Sequence, residues 1–219
     1  MQRGENWTVA GKVEHVSFYS RVIFPRLCNL GLDRPFVAEQ RRELLACAAG
    51  EILEIGFGTG LNLPCYPAGV RKLMAVDPNV GMQPLAERRI RETGIEVEQH
   101  VLGSERLPFE DGQFDCVVST FTLCSIENVG QALTEIYRVV RPGGRFLFLE
   151  HGLSPESGVQ RWQRRLNWLQ TCLADGCRLD RNMRELVAEQ PFESVECAEF
   201  YLEKMPRTHG YIYRGAARK

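Results

Sequence analysis

The sequence predicts a doubly wound α/β fold, with a mostly parallel seven-stranded sheet, one antiparallel edge strand and helices on both faces. Three observations predict it. Short apolar runs alternate with amphipathic segments, an order that gives parallel strands joined by right-handed crossovers. A glycine-rich turn at residues 56–60 follows the first apolar run, and an acidic residue, Asp77, follows the second. This succession is typical of Rossmann-like, nucleotide-binding sheets.

Composition limits what kind of protein this chain can be. It has 219 residues and a formal net charge of −1, which does not favour nucleic acid as a partner. No apolar stretch reaches the roughly 18 residues that cross a bilayer, and no signal peptide opens the chain. Eight cysteines without a C-x-x-C pair predict reduced thiols and no metal site. We expect a cytoplasmic protein; peripheral contact with a membrane and the oligomeric state stay open.

Residues 1–50 are predicted to form an N-terminal helical cap on a cofactor-binding and acceptor sheet, residues 51–219, within a single domain. An aromatic, apolar stretch is interrupted by Pro25, and a second helix follows Pro35. The cap is either a mobile lid over the ligand or a cover for the sheet, and an amphipathic membrane-surface segment is a third interpretation. As a lid, it would bring Tyr19 over the bound ligand.

The first strand, residues 51–55, leads into the turn on which the site depends. Glycine lacks a Cβ and tolerates positive φ, so Gly56, Gly58 and Gly60 let the backbone bend sharply and approach a ligand. Their spacing differs from the G-x-G-x-x-G of pyrophosphate-binding turns. Glu54 within the motif argues against a phosphate and suits a cationic or amino-bearing ligand. Two prolines that follow leave room for only a short helical turn, which disfavours a dinucleotide oxidoreductase.

Asp77 closes the second buried strand, residues 72–76, and is followed by Pro78 and Asn79. At this position a nucleotide-binding sheet holds ribose hydroxyls, since a carboxylate accepts two hydrogen bonds from adjacent hydroxyls. The alternative is that Asp77 only forms the turn before Pro78. The co-occurrence of turn and acid favours ribose binding.

The remaining elements follow from hydrophobic periodicity. A helix over 82–92 ends at Gly94, and a helix over 131–140 ends at the Arg-Pro-Gly-Gly run, where a glycine can adopt the left-handed cap. A longer helix is predicted over 159–173, and Trp162 and Trp168 in it either line an apolar acceptor pocket or pack in the core. The other predicted elements are strands at 96–101, 116–119, 145–149, 194–202 and 210–217 and a short helix after Asp180.

Between residues 50 and 150 these motifs, in order, resemble the class I S-adenosylmethionine-dependent methyltransferases. The resemblance implies that S-adenosyl-L-methionine is bound and S-adenosyl-L-homocysteine released. It implies that backbone at Ser104 and Glu105 holds the adenine, although Gly103 stands where the family commonly has Asp or Asn, so the group that holds the adenine amino group stays open. The residues implied to bind the cofactor are Glu54, Gly56, Gly58, Gly60, Asn62, Asp77, Pro78, Asn79, Ser104, Glu105, Thr120 and Leu123.

Residues 123–125, 138–144, 150–151, 175–179 and 208–211 are similar to the small methyltransferase group that includes the alkyl-thiol S-methyltransferases. The similarity implies a small-molecule, apolar acceptor, a thiol first, methylated by direct SN2 transfer. The alternatives are a quinone precursor, a phospholipid headgroup, or a non-catalytic regulator that binds the cofactor. His151, at the end of the fifth strand, is either the proton acceptor or a structural histidine.

Overall fold

The computed structural model describes residues 7–9 and 18–219. The other residues of the predicted N-terminal cap lie outside the described residues. Helices lie on both faces of one sheet. The strands are β1 (Trp7–Val9), β2 (Ile52–Ile55), β3 (Lys72–Val76), β4 (Glu96–Val101), β5 (Phe114–Thr120), β6 (Val140–His151), β7 (Ser194–Tyr201) and β8 (Tyr211–Arg218). The helices are α1 (Phe24–Leu32), α2 (Pro35–Leu45), α3 (Gln83–Thr93), α4 (Val129–Val139), α5 (Ser157–Leu173) and α6 (Met183–Ala188).

The strand order is β1-β4-β3-β2-β5-β6-β8-β7, with every neighbouring pair parallel except the two that involve β8. This confirms the doubly wound, mostly parallel sheet with an antiparallel pair at one edge. The antiparallel strand itself lies second from the edge, because β8 inserts between β6 and β7. An eighth strand, β1, extends the opposite edge; its three residues are too few for alternation to predict a strand.

Strand register brings the predicted site residues together. Ile55 lies opposite Val76 on one side and Ser119 on the other, so β2, β3 and β5 end at the same level. The glycine turn, Asp77 and Thr120 therefore meet at one edge of the sheet. This is where a doubly wound sheet binds its ligand.

Alternation along the central strands divides the apolar side chains between two cores. Val118 and Leu149 pack on the face covered by α2 and α3, whereas Val117, Phe146 and Phe148 pack on the face covered by α4 and α6. The inward residues of α4 are those its 3.6-residue period selects: Ala132, Leu133, Ile136 and Val139.

Two sequence expectations are corrected. Helix α4 ends at Val139 with Val140 already extended, so no left-handed glycine caps it; Gly143 does adopt φ +75°, but within the turn that follows. The α5 tryptophans do not pack in the core, since Trp162 is 57% and Trp168 70% exposed. Trp162 lies on a surface groove and neither ring reaches the central cavity. None of the helices among the described residues is long and apolar enough to cross a membrane.

Candidate active site

A cavity of about 260 Å³ lies at the carboxyl ends of β2, β3, β4 and β5. Its floor is the glycine turn, and residues of α1 cover it. Because the sheet order is β4-β3-β2-β5-β6, the cavity runs from the β4 end toward the β5 and β6 end. Ten of the sequence-predicted residues line it: Glu54, Gly56, Gly58, Asn62, Asp77, Pro78, Asn79, Ser104, Glu105 and Thr120.

The glycine turn needs its glycines for two different reasons. Gly56 has φ +72°, and a Cβ there would lie 2.0 Å from Oγ1 of Thr122, so the turn packs directly on the loop after β5. Gly58 has φ +55° and no side chain close to its missing Cβ, so bare backbone faces the cavity. Gly60 does not line the cavity; its Cβ position faces Leu63 Cδ1 at 3.2 Å.

The Asp77 carboxylate accepts two backbone hydrogen bonds and can accept more. Its Oδ2 accepts the Gly58 N–H at 2.7 Å and its Oδ1 accepts the Asn79 N–H at 2.8 Å. Burial raises the pKa of the Asp77 carboxyl to about 6 against those two hydrogen bonds, and the nearby Asp175 raises it further. Each oxygen retains acceptor capacity, which suits a pair of vicinal hydroxyls.

Glu54 belongs to a buried polar network rather than facing the cavity alone. Its two carboxylate oxygens accept hydrogen bonds from Asn62 Nδ2 at 2.9 Å and from the Tyr66 hydroxyl at 2.7 Å. Burial raises the pKa of Glu54 to about 7, against those hydrogen bonds and the positive charge of Arg41. These partners therefore favour the ionised form of Glu54 against its burial, and the network also fixes the Asn62 side chain at the cavity wall.

Arg41 is a site residue that the sequence analysis missed. Its Nη1 donates to Asn62 Oδ1 at 2.6 Å and to Thr120 Oγ1 at 2.5 Å, and the side chain lines the cavity although it is only 3% exposed. Its Nε is buried with no hydrogen-bond partner among the described residues. A buried cation with an unused donor fits an anionic ligand group. One signal was present, since Arg41 falls on the apolar stripe of α2 with Val37 and Leu44.

Residues 103–105 line the β4 end of the cavity, together with Leu102. A flat, partly apolar ring fits there, next to a carboxylate placed for the ribose. Three features match an adenosyl group that carries an amino-acid end: the bare backbone of the turn, the free acceptor capacity of Asp77 and the unpartnered Nε of Arg41. The residues present therefore fit S-adenosylmethionine.

Residues 20–32 cover the cavity and form hydrogen bonds at its rim. Asn79 Nδ2 donates to the Ser20 carbonyl at 3.0 Å and to Asp175 Oδ2 at 3.2 Å, while the Ser20 hydroxyl donates to Asp175 Oδ1 at 3.0 Å. Cys28 of α1 reaches the cavity. Tyr19 does not, because its hydroxyl donates to the Leu173 carbonyl at 2.5 Å. Its role in capping the ligand stays a prediction.

A cysteine–histidine cluster lies beyond the β5 and β6 end of the cavity. Sγ of Cys177 is 3.0 Å from His151 Nε2, 3.6 Å from Cys124 Sγ and 3.6 Å from Gln170 Nε2. The hydrogen bond from Cys124 lowers the pKa of the Cys177 thiol against burial, and His151 lowers it further. Burial by itself would lower the pKa of His151, but Cys177 and Glu150 raise it overall. Neither Cys177 nor Cys124 was predicted to have a functional role.

Two predicted residues at this end are placed beside the cavity rather than in it. His151 does not line it; its ring stacks at 6.5 Å on Phe121, which does. Leu123 is fully buried, its N–H donates to Glu150 Oε1 at 3.1 Å, and its carbonyl accepts from Arg181. Leu123 thus shapes the loop after β5, and cofactor binding by its side chain stays a prediction.

Comparison with known proteins agrees with this geometry. Residues 53–148 match the model of the methyltransferase domain family. The chain is 34% identical over 193 residues to the human thiol S-methyltransferase TMT1A, covering 81% of this chain and 78% of that protein. It is 30% identical over 135 residues to a demethylmenaquinone methyltransferase of Clavibacter sepedonicus, covering 62% of this chain and 55% of that protein.

A solved structure from Thermotoga maritima, described as a SAM-dependent methyltransferase and possible histamine N-methyltransferase, superposes with a TM-score of 0.66. It is 19% identical and covers 92% of this chain and 98% of its own, so it supports the fold. The chain therefore belongs to the class I S-adenosylmethionine-dependent methyltransferases, in the group that includes the thiol S-methyltransferases. Its cofactor is S-adenosylmethionine.

Proposed function

We propose that this protein methylates the sulfur of a small, apolar thiol. The observation that carries the proposal is the composition of the cavity end next to β5 and β6. Phe121 and Ile126 provide apolar surface there beside the polar side chains of Thr122, Ser125 and Glu127, and a cysteine–histidine cluster lies behind it. The similarity to TMT1A over 78% of that protein's length supports the same acceptor class.

The adenosyl end and the reacting end of the donor are separated by the order of the strands. Asp77 follows β3 and residues 103–105 follow β4, and on this basis we propose that the adenosine binds on that side of the cavity. The methyl group then lies toward the loop after β5, at Thr120 and Phe121. Arg41 and the network around Glu54 lie between these ends and suit the carboxylate and amino groups of the donor.

When bound, the donor supplies an activated methyl group on a sulfonium. The protein then has to hold the acceptor sulfur in line with it and exclude water, and such positioning contributes about 7–11 kcal/mol to lowering the barrier. The covering helix α1 and the apolar rim serve this purpose. A thiol with a pKa of about 8.5 is already partly ionised at neutral pH, so no strong general base is required. His151 as the proton acceptor stays a prediction.

The test is methyl transfer from labelled S-adenosylmethionine to a panel of acceptors. The panel contains small alkyl and aryl thiols, a polyprenyl quinone precursor and vesicles that contain phosphatidylethanolamine. We expect thioether products and no labelled quinone or lipid. Labelled quinone alone would favour the alternative, to which the similarity to the demethylmenaquinone enzyme points. A protein that binds the donor and methylates no member of the panel would fit a non-catalytic regulator.

A further inference from the structure

Cys124, His151 and Cys177 form a compact group of metal-ligand atoms. Two sulfurs and one imidazole nitrogen lie within 4.8 Å of one another, and all three side chains are buried. The residues come from the loop after β5, the end of β6 and the loop after α5. No local spacing relates them, which explains why a search for paired ligands in the sequence predicts no metal site.

We propose that these three residues bind a zinc ion whose fourth coordination position faces the acceptor end of the cavity. Two thiolates and one imidazole are a donor set that zinc prefers, and three protein ligands are the arrangement of zinc sites that keep one position open. The other six cysteines do not offer a competing site, since within the described part of the chain this is the one cluster that brings three such donors together.

Two of the three ligand–ligand distances can be compared with those of a tetrahedral zinc site, and the third, between Cys124 and His151, is within 4.8 Å. With Zn–S of about 2.3 Å, two ligand sulfurs lie about 3.8 Å apart, and with Zn–N of about 2.0–2.1 Å a nitrogen and a sulfur lie about 3.6 Å apart. Cys124 and Cys177 have their sulfurs 3.6 Å apart. His151 Nε2 and Cys177 Sγ are 3.0 Å apart, so the ring has to move by roughly half an ångström. A disulfide would require a sulfur–sulfur distance of about 2.05 Å, a much larger displacement.

The surroundings of His151 are consistent with a metal ligand. With Nε2 on the ion, the ring proton resides on Nδ1 and needs an acceptor. Nδ1 of His151 and Oε2 of Glu150 are both buried without a hydrogen-bond partner among the described residues. They lie on consecutive residues of β6 and no hydrogen bond joins them, so the Nδ1–H of a metal-bound ring would take its acceptor from a bound water or a shifted side chain.

We assign the open position to the cavity side because two neighbours of the ligands line the cavity, although none of the three ligands does. Ser125 follows Cys124 and Phe121 stacks on His151, and both are cavity residues in the loop after β5. The ion would thus lie directly behind the cavity wall. This places it at the end of the cavity opposite the adenosine side.

The role of the open position rests on the proposed thiol methylation. An acceptor thiol that entered from the cavity and bound there would lose its proton to solvent and be held as a thiolate. Its sulfur then forms the bond to the methyl carbon while the bond from that carbon to the donor sulfonium breaks, and the electron pair stays on the donor sulfur. A bound ion thereby replaces the general base and fixes the acceptor sulfur.

Metal content is the first test, and it does not depend on turnover. We expect the full-length protein, purified without chelators, to contain one zinc per chain by elemental analysis. Cys124→Ser, Cys177→Ser and His151→Gln should each lower that content by roughly tenfold or more. Cys197→Ser is the matched control, because Cys197 lies on β7 away from the cluster, and should retain it. Calorimetric binding of S-adenosylhomocysteine verifies that each variant is folded.

Cobalt substitution is the second test and uses the unaltered chain. Co²⁺ added to the metal-depleted protein should produce thiolate-to-cobalt charge transfer and the intense visible bands of a tetrahedral site. Addition of a small thiol should shift those bands. Absence of both zinc and the cobalt signal, or a loss of two hydrogens by mass spectrometry that shows a Cys124–Cys177 disulfide, would overturn the metal site.

The two proposals fail in different ways. Metal-depleted protein that methylates thiols at the full rate would remove the zinc proposal and leave the proposed function intact. One zinc per chain and a cobalt spectrum, in a protein that methylates no thiol, would retain the site and remove the thiol acceptor.

Discussion

Replacing Asp77 with asparagine tests the donor site at the residue whose geometry is most completely defined. Each oxygen accepts one backbone N–H, from Gly58 and Asn79, and keeps acceptor capacity for a ribose hydroxyl. A hydrogen bond to a charged group contributes about 1.5–3 kcal/mol, so two contribute about 3–6 kcal/mol. This corresponds to roughly 10²- to 10⁴-fold in Kd. Asparagine retains one acceptor oxygen and places an N–H donor against a backbone N–H.

We therefore expect Asp77→Asn to raise the Kd for S-adenosylmethionine by at least about 100-fold. Isothermal titration calorimetry with S-adenosylmethionine and S-adenosylhomocysteine measures it. Asp111→Asn is the matched control, because the Asp111 side chain is 83% exposed and pairs with Arg138 away from the cavity. Thermal unfolding without ligand should change little for Asp111→Asn and should show a modest loss for Asp77→Asn, in which one backbone N–H loses its acceptor. A Kd for Asp77→Asn within threefold of the unaltered protein would refute the ribose assignment.

The remaining predictions concern the same cavity. Because burial raises the Asp77 pKa to about 6, donor affinity should fall as pH decreases below about 6, by up to tenfold per unit, and a flat profile in calorimetry from pH 5 to 8 would contradict this. Arg41→Lys should weaken the binding of S-adenosylmethionine about tenfold or more. It should leave the affinity for 5′-methylthioadenosine unchanged, because that compound lacks the amino-acid end. Equal losses of affinity for both compounds would show that Arg41 is purely structural. Gly56→Ala should lower the free energy of unfolding by well over the roughly 1–2 kcal/mol of left-handed strain, since its Cβ would overlap Thr122. Gly143→Ala, whose Cβ would meet open space, should cost only that strain. Equal losses for the two variants in urea unfolding would contradict the close packing of the turn.

The parts of the fold that the sequence predicts are those that local patterns determine. Strands β3 and β4 have the predicted bounds, because their apolar runs end at Asp77 and at the Gly103 turn. Helix α3 ends at Gly94, as predicted, and Gly94 adopts the left-handed conformation. The order of β7 and β8 in the sheet could not be predicted from local patterns, since two strands adjacent in sequence can pair with either one at the edge. Only pairing with β6 decides it.

The candidate site divides in the same way. Glycine spacing and a strand-end carboxylate locate the donor-binding edge, because the register of β2 and β3 brings them together. Cys124 and Cys177 are 53 residues apart, and their meeting depends on how the loop after α5 folds back. The exposure of the α5 tryptophans could not be predicted from the sequence either. An apolar stripe predicts that a helix face is buried, but it cannot show that no other element packs on that face.

A single-turnover reaction with methyl-deuterated S-adenosylmethionine and a small alkyl thiol tests the proposed activity most directly. The thioether and S-adenosylhomocysteine should form in equal amounts, and all of the deuterated methyl should reside on sulfur. Donor that binds and stays intact in the presence of every thiol, or label that resides on a quinone ring or a lipid amine, would contradict thiol methylation.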